Sequence, residues 1–457
     1  MTPIVAIVGR PNVGKSTLFN RLTKSRQALV DDLPGVTRDR LYGQVETPEG
    51  SFTLVDTGGF DPPADQDFAH EVHHQIRLAL EEADLVLFLT DGRAGLSPLD
   101  HEVADALRRT QKPVILAVNK VDGPKAELEA MEFAALALEP MHFISAAHGR
   151  GVGDLLDDIL AALPPTQAPP EAEDGDQVRI TLLGRPNVGK SSLLNALVGA
   201  PRVVVSQVAG TTRDAIDTPL SLDGKDYLLI DTAGIRRQGR VERGLEKAGV
   251  FRALRTLERA HLAVVVVDAT EGITDQDLRL AGQAVQAHRG LILALNKWDL
   301  LREEPERRRR LIEEAKDALR FAPWAPVVTI SAKTGWGVQK VLSSAERVFQ
   351  EYDRRMATGP LNKALEEILE HHQPPMVGRR RLKFYYASQV STRPPTVVLV
   401  VNDPASVHFS YRRYLHNELR RVMGLTVAPL RLVFKERSGR KPARKRGRGG
   451  RGNRRRP

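Results

Sequence analysis

The octapeptide Gly9-Arg10-Pro11-Asn12-Val13-Gly14-Lys15-Ser16 recurs letter for letter as Gly184-Arg185-Pro186-Asn187-Val188-Gly189-Lys190-Ser191, an offset of 175. Each copy follows a short apolar run and precedes a helical pattern, the setting in which G-x-x-x-x-G-K-[ST] cradles phosphate. Gly9, Gly14, Gly184 and Gly189 let backbone N–H groups and a helix N-terminus close on a β-phosphate. Lys15 and Lys190 place positive charge between the β- and γ-phosphates, and Ser16 and Ser191 each offer magnesium a hydroxyl oxygen. Thr17 and Ser192, next in the chain, belong to the same set of nucleotide contacts. One such match can arise by chance; two identical ones in one context leave little room for a purely structural loop.

The downstream motifs repeat in the same order. Thr37-Arg38-Asp39 answers Thr212-Arg213-Asp214, and Asp56-Thr57-Gly58-Gly59 answers Asp231-Thr232-Ala233-Gly234. An aspartate ending a strand can hold magnesium directly or through water, so Asp56 and Asp231 join Ser16 and Ser191 as its expected ligands. The N–H of Gly59 or Gly234 can sense a γ-phosphate, and a loop threonine, Thr37 or Thr212, can complete the metal shell. Asn119-Lys120-Val121-Asp122 and Asn296-Lys297-Trp298-Asp299 then select the base. A carboxylate accepts from both N1–H and N2–H2 of guanine, and adenine offers neither in that geometry, so ATP would leave Asp122 and Asp299 unpaired. Asn119 and Asn296 can bond the other edge of the base, and Lys120 and Lys297 can lie along its ring. The N–H groups of Ala146 and Ala332, in Ser145-Ala146 and Ser331-Ala332, can reach the guanine oxygen. Each copy is expected to bind GTP or GDP with magnesium.

Lys15, Thr37 and Gly59, with Lys190, Thr212 and Gly234, form the expected catalytic set for GTP hydrolysis. A glutamine after D-x-x-G commonly orients the attacking water. Those positions hold Phe60 and Ile235, whose side chains cannot hydrogen-bond water, so low intrinsic turnover is expected. Water must then be placed by backbone, a cation or a partner. His70-Glu71-Val72-His73-His74 fits the zinc-protease pattern H-E-x-x-H. No downstream ligand cluster accompanies it, and a solvated helix is the better reading. His371-His372 reads as a helix end.

The elements that must hold these residues follow from the apolar runs. In the first copy these are Ile4–Val8, Phe52–Val55, Leu85–Leu89, Val114–Val118 and Met141–Ile144; in the second, Val178–Leu183, Tyr227–Ile230, Leu262–Val267, Leu291–Leu295 and Val327–Ile330. Strands apolar throughout and separated by helical stretches indicate an α/β fold, a mostly parallel sheet with helices on both faces. The offset grows to 177 at N-K-x-D and to 186 at Ser145 and Ser331, as insertions would make it, so a whole domain is duplicated. The expected division is 1–163 and 178–352 for the two P-loop domains, with an acidic, proline-rich linker over 164–177. A small α+β unit over 353–434 has a helix opening at Thr358-Gly359-Pro360, strands at Leu382–Ala387, Thr396–Val401 and Leu430–Phe434, and a helix at Tyr411–Val422. A disordered Arg/Gly-rich tail is expected over 435–457.

The 457 residues carry a net charge of +10 and no cysteine. Disulfides, thiolate metal sites and cysteine nucleophiles are excluded, and a cytoplasmic location is expected. No apolar run approaches the roughly 18 residues of a membrane span, so no membrane partner is expected. The charge is uneven: Met1 to Gly378 sums to −9, Arg379 to Phe434 to +8 and Lys435 to Pro457 to +11. That asymmetry points to a polyanionic partner at the C-terminal end.

The C-terminal unit adds Phe384-Tyr385-Tyr386-Ala387-Ser388-Gln389, Val401-Asn402-Asp403-Pro404, His408-Phe409-Ser410-Tyr411 and Arg413-Tyr414-Leu415. With the tandem motifs, these residues resemble the Der/EngA family, bacterial GTPases with two G domains and a C-terminal KH-like domain, from Met1 to about Phe434. The resemblance implies a monomeric factor that assembles the large ribosomal subunit through its ribosomal RNA. It also implies potassium-stimulated hydrolysis, with Asn12 and Asn187 helping to hold the ion. RNA-binding KH domains usually clamp the backbone with G-x-x-G, and none lies between the helices of this unit. A nucleotide-gated RNA-binding scaffold with little hydrolysis in one or both G domains stays open as the alternative. A tRNA-modifying GTPase is disfavoured by the lack of a reactive cysteine or cofactor motif.

Overall fold

Both copies of the repeat build the same sheet from their uniformly apolar runs, because a strand covered by helices on both faces has no solvent side to keep polar. The structure, a computed structural model, describes residues 3–23, 42–47, 50–56, 83–164, 177–199, 203–205, 217–222, 224–232, 248–374, 376–377 and 380–437. The first sheet comprises β1 (Ile4–Val8), β2 (Tyr42–Glu46), β3 (Ser51–Asp56), β4 (Leu85–Asp91), β5 (Val114–Asn119) and β6 (Met141–Phe143), in the order β2-β3-β1-β4-β5-β6. The second comprises β7 (Val178–Leu183), β8 (Val203–Val205), β9 (Thr218–Leu222), β10 (Lys225–Ile230), β11 (Leu262–Asp268), β12 (Gly290–Asn296) and β13 (Val327–Thr329), in the order β13-β12-β11-β7-β10-β9-β8. All pairs are parallel except β2 with β3, β10 with β9 and β8 with β9. The ten expected strands are all present to within two residues at either end. The antiparallel strands β2, β8 and β9 are not among them: β2 and β9 are partly polar and β8 is only three residues long, so none shows the longer continuous apolar run of a central strand.

Register brings the motif residues to one edge. Ile7 lies opposite Asp56, Asp91 opposite Asn119 and Asp268 opposite Asn296. These are the carboxyl ends of parallel strands, where open α/β sheets bind their ligands. The helices that follow are capped by side chains: Ser97 and Asp100 form a capping box at Pro98–Arg108, and Thr274 and Asp277 form the same box at Asp275–Gln286. Each such cap contributes about 1 kcal/mol.

The third unit has a short hairpin of β14 (Met376–Val377) and β15 (Arg380–Arg381). Beyond it is a sheet of β16 (Phe384–Thr392), β17 (Pro395–Val401) and β18 (Arg431–Glu436), antiparallel then parallel, with helices Thr358–His371 and Phe409–Val422. Lys435 and Glu436, expected in the tail, are strand residues paired with Val400 and Val401. His371 closes its helix, as read from the sequence. One hydrophobic cluster runs from Val178 and Leu193 through Val341, Val348 and Tyr352 to Leu365, Leu399, Leu415 and Leu432. The second P-loop domain and the C-terminal unit therefore share a core. Polar contacts lock the seam: Glu351 accepts from Thr426 Oγ1 and Val427 N, both at 2.6 Å. The cores of the first domain are separate clusters, and among the described residues none spans to the second. An ion pair at 3.4 Å, Arg255 with Asp84, touches both domains. Among the described residues no helix is long and apolar enough to cross a membrane.

Candidate functional site

The phosphate loop of each copy is tied from three directions. Asn12 and Asn187 take the left-handed conformation, φ 64° and 62°, which asparagine tolerates better than most residues. Gly14 and Gly189 follow with φ 100° and 99°, and a Cβ on either would lie 2.3 or 2.2 Å from Asn119 or Asn296 Nδ2. Only glycine fits there. The buried Lys15 donates from Nζ to Gly9 O at 2.7 Å and Arg10 O at 2.9 Å, and Lys190 donates to Gly184 O at 2.7 Å and Arg185 O at 2.6 Å. The ammonium is thus held inside the loop. Thr17 and Ser192 are exposed on the first turn of the following helices.

The magnesium residues meet in the first copy: Ser16 Oγ donates to Asp56 Oδ2 at 2.7 Å. Two hard oxygens, one anionic and buried, at the mouth of a phosphate loop fit that ion, which prefers few protein ligands and keeps water. Ser16 and Asp56 would hold the ion, which when bound would offset negative charge developing in hydrolysis. Asp231 has φ 56° and donates its N–H to Asp217 Oδ1 at 3.0 Å. Thr37, Gly59, Thr212, Gly234, Phe60, Ile235 and the His70–His74 motif lie outside the described residues.

On the base side, Asn119 Nδ2 donates to Val13 O at 2.8 Å while its Oδ1 accepts from Ala146 N at 2.9 Å. Asn296 repeats both bonds with Val188 O and Ala332 N at the same distances. One amide hydrogen of each asparagine is left for the base edge. The Ala146 and Ala332 N–H groups donate to these asparagines. Each asparagine therefore staples the phosphate loop to the base loop.

Lys120 donates to Asn12 O at 2.8 Å and Asp91 Oδ2 at 2.5 Å, and Lys297 pairs with Asp268. Burial works to raise the Asp91 carboxyl, but Lys120 and the N–H groups of Arg93 and Ala94 together hold it below the usual range. Asp268 is lowered in the same way by Lys297 and Thr270 against burial. Asp91 and Asp268 escaped the sequence reading because a lone aspartate after a strand looks like a turn residue. Arg10 with Asp100, and Arg185 with Asp277, likewise pin the loops across 90 and 92 residues of chain.

The two base carboxylates differ. A hydrogen bond from Ser145 and one from Arg93 hold Asp122 below its ordinary pKa, so it is an ionised acceptor. At the position matching Arg93 the second copy has Thr270. There Asp299 Oδ1 is buried and, among the described residues, has no hydrogen-bond partner. An orphaned acceptor at this place fits the N1–H and N2–H2 donors of guanine.

A family model described as a 50S ribosome-binding GTPase matches residues 4–120 and 179–297, and one described as the KH-domain-like C-terminal domain of EngA bacterial GTPases matches 355–435. The GTPase Der of Syntrophobacter fumaroxidans is 52% identical over 437 residues, covering 95% of this chain and 98% of that protein. The chain belongs to the Der/EngA family of GTPases. The GTPase Der of Syntrophotalea carbinolica is 49% identical, covering 96% and 99%. As a Der/EngA GTPase the chain binds and hydrolyses GTP, and both P-loop domains are G domains.

Desolvation in the loop lowers Lys190 to about 8, against the pull of Asp277. Bound phosphates would restore its charge, so binding at the second site takes up a proton once the free protein has lost it. Affinity for GDP at that site should fall as pH rises above about 8, approaching tenfold per unit. Trp298, buried between Lys297 and Asp299, reports on this site, and all three tryptophans (Trp298, Trp324, Trp336) lie in the second G domain. A fluorescence titration giving the same affinity at pH 7 and pH 9 would contradict it.

Proposed function

We propose that the chain is a GTP-driven assembly factor for the large ribosomal subunit, in which nucleotide state sets how the G domains are arranged and when the basic C-terminal unit engages ribosomal RNA. The observation that carries this reading is the core shared by the second G domain and that unit: a change at the second nucleotide moves the basic surface with it. The acidic G domains repel RNA and the positive end attracts it, so contact begins at the C-terminal unit and the G domains supply timing. Segments 1–163 and 178–352 act as the two switches, 164–177 as their tether and 353–434 as the KH-like reader. Footprinting of the GTP-bound chain on large subunits is expected to protect ribosomal RNA; no protection in any nucleotide state would end the reading.

Hydrolysis is slow without help, because neither Phe60 nor Ile235 can hold the attacking water. Asn12 and Asn187 present exposed amides from left-handed loop positions, where their oxygens can face a potassium ion beside the phosphates. Replacing potassium by sodium should lower turnover by several-fold or more. Equal rates in the two salts would remove that role from both asparagines.

A further inference from the structure

Large side chains are left uncovered on one side of the C-terminal sheet. Tyr385 is 42% exposed, Tyr386 50% and Val390 61%. Register identifies the side. Ala387, Leu399 and Phe434 lie opposite one another across the three strands and turn into the shared core. The next row, Tyr386, Val400 and Lys435, therefore lies on the opposite face. The register shifts between Phe384 and Tyr386, which sets Tyr385 as the extra residue of a bulge beside that row. Arg437 continues β18, donating its N–H to Val401 O at 3.0 Å, and its guanidinium lies 4.6 Å from the centre of the Tyr385 ring. The single acid of the three strands, Glu436, has the parity of the core side. From residue 438 to 457 the chain then carries ten Lys and Arg and no acid.

We infer that this outer face is a stacking platform for single-stranded RNA, an inference that rests on the RNA-directed reading above. Two exposed rings and flanking cations at Lys435 and Arg437 offer what an unpaired nucleotide needs: a π-face for the base and charge for the phosphate. A duplex hides its base faces and leaves the rings nothing to hold. Stacking tolerates any base, which suits a unit without the G-x-x-G clamp.

The test uses the full chain and fluorescent RNA of about 12 nucleotides, single-stranded and as a perfect duplex. The Tyr385→Ala/Tyr386→Ala variant should lose single-strand affinity by about tenfold or more, with duplex binding and GTP turnover unchanged. Tyr385→Leu/Tyr386→Leu, which keeps the face covered, should lose as much, and Tyr385→Phe/Tyr386→Phe should restore binding. Single-strand affinity unchanged in the Ala and Leu variants, with the wild type binding well, would overturn the platform and leave the RNA reading standing. Intact RNA affinity with lost binding to ribosomal subunits would assign the face to a protein and overturn it equally. A wild-type chain that binds neither RNA would remove the RNA reading itself.

Discussion

Asp299→Asn should turn the second site from guanine to xanthine nucleotides. The Asp299 Oδ1 acceptor is buried and unpaired among the described residues, so donors on a bound base would satisfy it. Guanine presents two, N1–H and N2–H2. Asparagine would set an N–H2 group against them, donor against donor, at the cost of two charge-assisted hydrogen bonds. GDP affinity is expected to fall on the order of 10²–10⁴-fold. Xanthine carries a carbonyl where guanine has its amine, so the same amide finds an acceptor and XDP should gain what GDP loses. Fluorescence of Trp298 would report the exchange at this site, and Asp122→Asn should produce the same change at the first site without it. A variant that keeps GDP and ignores XDP would show that this carboxylate does not set the base.

Lys190→Ala is expected to silence the second G domain. The side chain supplies charge between the phosphates and also bridges Gly184 O and Arg185 O, so its loss removes the ligand contact and slackens the loop together. Turnover at that domain should fall on the order of 10²–10³-fold, and Lys15→Ala should do the same to the first. Single-turnover assays on each variant then read the other domain alone. A Lys15→Ala/Lys190→Ala chain hydrolysing GTP at the wild-type rate would place the activity elsewhere.

The motif residues were legible because phosphate, metal and guanine chemistry fixes residue type and spacing together. The central strands were legible because burial on both faces leaves no polar position to blur the run. What joins distant segments was not. Arg10 with Asp100, and Lys120 with Asp91, are ordinary charges until the sheet brings them together. The break at Thr358-Gly359-Pro360 suggests an independent unit, yet Tyr352, Leu361 and Leu399 share one core, because composition does not reveal which faces pack. The boundary at Phe434 fell short for a related reason: Lys435 and Glu436 are polar, and pairing with β17 holds them in the sheet.

Coupling between nucleotide and ribosome is most directly tested by sedimenting the full chain with isolated large subunits, loaded with a non-hydrolysable GTP analogue or with GDP. Co-sedimentation in the analogue state, lost in GDP and lost in Lys15→Ala/Lys190→Ala, is expected. Equal co-sedimentation in both states, or in neither, would contradict nucleotide-timed binding.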